Sequence, residues 1–185
     1  MTAAIVLPNL TNWLKQHITT LYTVTDRTAF NNAFNAFLTQ DASITVNGKK
    51  VTKDEYMQQL LGQKFEESGA QVNFLATVEV PADQNQPQLA GDVGTSFQAT
   101  VDEQFLVLGA PETRSVNSSL NVVIVQDKSI TPPHPTVPVR GGIFDPRRVS
   151  VLNQITLSKQ NSVLIPLPNP AGPSTDQPAA QTGSN

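Results

Sequence analysis

The chain has no cysteine, two histidines and a single tryptophan among its 185 residues. Without cysteine there is no disulfide, no thiolate zinc site and no cysteine nucleophile. Two histidines are too few for a histidine-rich metal centre, so neither a metal nor a cofactor is expected. No apolar run approaches the roughly 18 residues that a membrane-spanning helix needs. The opening MTAAIVLP has neither a positive leader nor a long hydrophobic core, so it does not read as a secretory signal. Cytoplasmic residence away from membranes is the expectation. Positive charge is also scarce: 12 Lys and Arg against 15 Asp and Glu leave a formal charge of -3. Such a field repels nucleic acid weakly, and no nucleic-acid partner is expected.

What is present suffices for one packed domain. Hydrophobic residues make up 38% of the chain and are spread from Leu10 to Leu157, which predicts a domain over residues 1–158 and a Pro-rich flexible tail over 159–185. Leu10, Trp13, Leu14, Ile18 and Leu21 recur at spacings of three and four, the pattern of one helical face. A second helix, capped by Thr25 or Asp26, carries Ala29, Phe30, Ala33, Phe34 and Phe37, a stripe that reads as core. Asn47-Gly48 suits the positive φ of a tight hairpin turn, predicting a hairpin over Ser43 to Val51. Thr52 and Glu55 then form a capping box for a third helix, with Gly69 as its terminator.

From Ala70 the period becomes two. Val72, Phe74, Ala76, Val78 and Val80 are predicted on one buried strand face, then Val93, Phe97, Ala99, Val101, Phe105 and Val107 on the next. Ser115 to Gln126 is a third long strand. Residues 127–146 are rich in proline, including Pro132, Pro133, Pro135 and Pro138, which favours an extended loop. The last strand, Val149 to Leu157, is read with Val149, Val151, Asn153, Ile155 and Leu157 facing one way. The apolar patch VLIPLP interrupts a tail otherwise polar, and no internal repeat is visible.

Three helices with a hairpin before the third, followed by long strands, is an order found in one large group of folds. The stretch FNAFLTQDASITVNGKKVTKDEYMQQLL, with GTSFQATVDEQFLVL and RRVSVLNQITL, resembles the nuclear transport factor 2-like superfamily over roughly residues 7–158. The resemblance implies an α+β fold, a cone in which a curved antiparallel sheet is wrapped by three N-terminal helices around an internal pocket. It also implies a homodimer through the outer sheet face, where Leu75, Leu106, Leu108, Val123 and Val125 are too apolar for open solvent. Superfamily members include isomerases, dehydratases, cyclases, transport adaptors and proteins of no known activity, so the fold selects no function. Where ketosteroid isomerase has its general-base Asp, this chain offers Thr45, Val46 or Asn47, none of which takes a carbon-bound proton near neutral pH.

Few residues are equipped for chemistry. His17 follows Trp13 by one turn and is a candidate acid or base if it faces the pocket; the alternative is a half-buried imidazole at the helix edge. Glu103 shares the parity of Val101 and Phe105, which turns it inward unless a bulge intervenes. Together His17 and Glu103 form the only candidate catalytic pair. Asp41 is read as serving local backbone amides. Asn153 is the candidate polar anchor for a ligand, within a pocket lined by Trp13, Phe30, Phe34, Val78, Phe97, Val101 and Val122. In VRGGIFDPRR, the arginines beside two glycines are read as a solvated turn rather than an anion site. The overall expectation is a non-catalytic binding or assembly module, with a hydrophobic pocket for a small apolar ligand. The alternative is an isomerase, dehydratase or cyclase acting on a hydrophobic carbonyl compound.

Overall fold

The computed structural model describes residues 7–64, 67–107, 110–131 and 145–161. Helix α1 spans Leu10–Thr23 and α2 spans Arg27–Phe37, each started by a side chain that replaces a missing helical acceptor. Asn9 Oδ1 accepts from the Asn12 amide at 2.8 Å, and Asp26 Oδ1 accepts from the Ala29 amide at 2.7 Å. Asp26 rather than Thr25 is therefore the cap of α2. Strand β1 (Leu38–Val46) follows α2 directly, turns through Asn47 (φ 50°) and Gly48 (φ 78°), and pairs with β2 (Lys49–Val51). This is the expected hairpin, begun earlier than the sequence pattern suggested.

Helix α3 spans Lys53–Lys64, and its capping box is formed as expected. The Thr52 amide donates to Glu55 Oε2 at 2.7 Å, and the Glu55 amide donates to Thr52 Oγ1 at 3.2 Å. Gly69 does not terminate it. That glycine already lies in β3 (Glu67–Pro81), paired with Asp102, because sheet pairing begins at Glu67. Strands β4 (Gly91–Val107), β5 (Ala110–Gln126) and β6 (Arg147–Asn161) complete a curved six-stranded sheet of order β2-β1-β6-β5-β4-β3. The sheet is mixed rather than wholly antiparallel, since β1 and β6 run parallel, joined through α3 and the three long strands between them. Strand β6 continues to Asn161, past the expected boundary at 158. The tail from 162 lies outside the described residues.

The helices cover one face of the sheet. Leu10, Trp13, Leu14, Ile18, Leu21 and Tyr22 of α1 and Phe30, Phe34 and Phe37 of α2 meet Val93, Phe97, Ala99, Val116, Leu120 and Val122 of the sheet in one core. Each such Leu, Val or Phe side chain contributes about 1.5–3 kcal/mol on removal from water. The helix–sheet contact is tightest at Gly91 (φ 155°), where an added Cβ would meet the carbonyl oxygen of Val80, Leu10 Cδ1 at 2.8 Å and Pro81 Cα at 2.9 Å. No other residue type fits that corner without displacing backbone.

Two register shifts decide which side chains face the helices. Between Phe74 and Ala76 the pairing of β3 with β4 skips a residue, so Val72 and Phe74 face inward whereas Val78 and Val80 face outward. Between Val123 and Ile124 the pairing moves from Val151 to Val149, which leaves Ser150 unpaired and inverts the parity of β6. Consequently Val149, Leu152 and Gln154 are buried, and Val151, Asn153, Ile155 and Leu157 are exposed. Strict alternation had placed Val78 and Asn153 among the inward residues; both belong to the outer face, because a bulge leaves no trace in a period-two pattern.

Candidate functional site

Beneath the concave face, the aromatic residues expected to line a pocket pack against other rings. Trp13 stacks with Phe37 at 6.2 Å between ring centroids, Phe30 with Phe34 at 6.1 Å, and Phe97 meets Tyr22 at 5.7 Å and Phe74 at 5.8 Å. Trp13, Phe30, Phe34, Phe97, Val101 and Val122 are all buried. Gln154, not Asn153, is the β6 amide that faces inside. Its Oε1 accepts from Tyr56 Oη at 2.8 Å, and its Nε2 donates to Ser118 Oγ at 2.7 Å. Burial raises the Tyr56 pKa, so the phenol remains a neutral donor.

His17 lies at one end of this core, its ring 4.2 Å from Trp13 and 5.8 Å from Phe37. Burial is the main force that lowers its pKa to about 4; Arg148 and Arg147 push the same way and Asp145 opposes them. The imidazole is therefore neutral near pH 7. The backbone of Glu103 pairs with Glu67 in β3, but its side chain lies outside the described residues, as does the proposed meeting of Glu103 with His17. Leu106 has its backbone in β4 and its side chain outside the description, and Leu108 lies outside it altogether.

The charged partner that the structure brings toward His17 is Asp145, and Asp145 is already committed. Arg147 donates from Nε to Asp145 Oδ1 at 2.9 Å and from one terminal nitrogen to Oδ2 at 2.7 Å. Its other terminal nitrogen donates to the carbonyls of Pro8 at 2.7 Å and Gln88 at 2.9 Å. The guanidinium lies 5.6 Å from the Trp13 ring. Arg147 is 0% exposed, so the reading of this arginine as solvated is corrected. It ties together the approach to α1, the β3–β4 loop and the start of β6. Desolvation works against the Asp145 carboxylate, but hydrogen bonds and charge from Arg147 prevail and hold it below the usual carboxylate range. Arg148 donates instead to the main-chain carbonyls of Asp145 and Arg147 at 3.0 and 2.6 Å. Arg140 and the adjacent glycines lie outside the described residues. The sequence shows charge at Arg147 but not burial, so no pattern distinguished it from a surface arginine.

The opposite face of the same strands is built differently. Pairing places Val80, Asp92, Val123 and Val151 in one row across the sheet, and Val78, Gly94, Asn121 and Asn153 in the next. Two further rows are Ala76, Ser96, Ser119, Ile155 and Asn73, Gln98, Asn117, Leu157. Asp92 is the sole ionisable residue in these rows. Every large apolar side chain found exposed among the described residues belongs to β3 or β6: Leu75, Val78, Val80, Val151, Ile155 and Leu157, at 43–67% exposure. Gly94, which lacks a side chain between Val78 and Asn121, floors a groove of about 300 Å³ walled by Val78, Val80, Val123 and Val151. The groove's polar rim is Asp92, Asn121 and Asn153.

Among the described residues no group of three or more His, Asp or Glu side chains is placed to hold a metal ion. No helix is long and apolar enough to cross a membrane.

No family model and no curated protein matches the chain. Solved structures do match in fold. One assigned as a scytalone dehydratase of Novosphingobium aromaticivorans aligns with a TM-score of 0.52 at 9% identity, covering 89% of this chain and 94% of that one. One assigned as an aromatic ring hydroxylase of the same organism gives 0.51 at 7% identity, over 80% and 90% of the two chains. A conserved protein of Planctomyces limnophilus gives 0.50 at 10% identity, over 80% and 94%. The similar structures thus include ones assigned as enzymes and one described only as a conserved protein. Three helices on the concave side of a mixed six-stranded sheet, in this order and connection, give the chain the nuclear transport factor 2-like fold.

Proposed function

We propose that this chain is a non-catalytic assembly module whose outer sheet face docks against a second copy of itself. The observation that carries the reading is the outer face of β3 to β6, with six large hydrophobic side chains exposed, one carboxylate among its rows and a valine-walled groove. Interface cores are depleted in charge and enriched in apolar side chains, whereas solvated sheet faces alternate toward polar residues. A patch with one carboxylate among its rows, at the groove's polar rim, brings little like charge against its own image, as the self-complementary interface of a two-fold dimer requires.

The two alternatives from the sequence draw less support. For a small apolar ligand inside the cone, the aromatic residues named as its walls already pack on other rings: Trp13 on Phe37, Phe30 on Phe34 and Phe97 on Phe74. For proton-transfer catalysis, His17 is a weak base at a pKa of about 4, and the nearby Asp145 is held by Arg147. Substituting Val78→Asp puts a charge at the groove wall while leaving the core untouched. Light scattering on the eluting protein is expected to show a dimer for the wild type, and an association at least about tenfold weaker for the variant, or about 1.4 kcal/mol. A wild type that elutes as a monomer at every loading contradicts the proposal. A thermal shift with an apolar small-molecule panel, in a chain that remains monomeric, favours the ligand reading instead.

A further inference from the structure

The turn that ends β1 is built on Asn47-Gly48, and no other asparagine of the chain precedes a glycine. Both residues have positive φ, 50° and 78°, a conformation that asparagine and glycine accept and branched residues resist. The pair that suits this turn also has a chemistry of its own. The main-chain nitrogen of the residue after an asparagine can attack the side-chain carbonyl carbon, and glycine hinders that attack least because it has no side chain. The turn is open to water: Asn47 is exposed, and a Cβ built on Gly48 would meet nothing within 4 Å.

In the folded chain the reacting group is already engaged. The Asn47 main-chain amide donates to the Gln154 carbonyl at 2.8 Å, continuing the parallel ladder in which Val46 pairs with Gln154. The Asn47 carboxamide then stands in for the next peptide group of β1. Its Nδ2 donates to the Thr156 carbonyl at 3.1 Å, and its Oδ1 accepts the Thr156 amide at 2.8 Å. We propose that Asn47 is a deamidation site that the fold holds closed, because its carboxamide must leave Thr156 before Gly48 can attack it, and that its conversion unlatches the end of β1 from β6.

The reaction needs only water. The Gly48 nitrogen loses its proton and bonds to Asn47 Cγ, the bond from Cγ to Nδ2 breaks, and Nδ2 leaves as ammonia with that proton. Water then opens the cyclic imide. Attack at Cγ leaves an aspartate, and attack at the main-chain carbonyl carbon leaves an isoaspartate, whose main chain runs through the side chain. Either product loses the latch. Aspartate has no Nδ2 donor, so a carboxylate oxygen faces the Thr156 carbonyl, an acceptor against an acceptor. Isoaspartate lengthens the backbone within the turn, which removes the geometry that pairs Val46 with Lys49.

These bonds lie within one chain, so the inference stands apart from the assembly reading. The test is to hold the full wild-type chain at mildly alkaline pH with and without denaturing urea, then to follow conversion at each asparagine by peptide mass and isoaspartate by enzymatic methylation. In urea, Asn47 is expected to convert before any other asparagine. Without urea its conversion is expected to be at least about tenfold slower, since two hydrogen bonds must open first. Equal rates in the two conditions overturn the protection, and a different asparagine converting first in urea overturns the site. As a second measurement, Asn47→Asp, one of the two products, is expected to speed hydrogen exchange of the Thr156 amide severalfold. An unchanged exchange rate overturns the unlatching.

Discussion

The two faces of the β3–β6 layer come from the same strands, yet the chain uses them in opposite ways. On the concave face, Val93, Phe97, Ala99, Val116, Leu120 and Val122 are buried by helices, and Gln154 is paired with Tyr56 and Ser118, Arg147 with Asp145 and two carbonyls. On the convex face, Leu75, Val78, Val80, Val151, Ile155 and Leu157 are nearly as apolar and are uncovered. The first face explains why the domain folds. The second is left exposed by the described elements, and that mismatch between composition and burial is what points to docking.

Breaking the concave side should cost stability. The largest effect is expected for Arg147→Ala, which leaves Asp145 and two loop carbonyls without their donor; losing one partner of a buried ion pair costs about 3–5 kcal/mol. Urea denaturation reads that loss directly. Gly91→Ala should cost about 2–4 kcal/mol, because the new methyl group meets backbone in a conformation L-residues resist. The same denaturation curve measures it, and a neutral result would mean that α1 can move off the sheet at little cost.

A third expectation sharpens the comparison through pH. The folded pKa of His17 is depressed to about 4, below its unfolded value near 6.5, so the unfolded chain binds the extra proton first. Stability is undiminished above about pH 6.5, falls as pH drops through that window toward 4, and loses about 2 kcal/mol between pH 7 and pH 5. His17→Phe should flatten the slope between pH 5 and 6.5. Asp145 acts lower. With its pKa depressed, its contribution is full above the ordinary carboxylate value and declines only as pH falls further. The smallest effect is expected outside: Ile155→Thr should change the stability of the dilute chain by no more than about 0.5 kcal/mol. A large loss there would show that the outer face already supports the fold.

Much of the architecture was legible because its signals are local. The spacing of Leu10, Trp13, Leu14, Ile18 and Leu21, the Thr52–Glu55 box and the Asn47-Gly48 turn each follow from chemistry within a few residues, and each stands where it was expected. The candidate site was less legible, for two physical reasons. Side-chain direction in a long strand depends on every bulge before it, so the shifts at Leu75 and Ser150 exchanged Asn153 for Gln154 and moved Val78 to the outside. Long-range pairing carries no local sign either. Nothing near Arg147 in the sequence announces Pro8 and Gln88 as its partners.

The dependence of the thermal midpoint on protein concentration tests the docking claim most directly, because association stabilises by mass action and a monomer has no such dependence. The wild-type midpoint is predicted to rise with concentration, and that of Val78→Asp to rise less over the same range. Two flat, superimposable series would contradict the assignment of the outer face as an interface between copies.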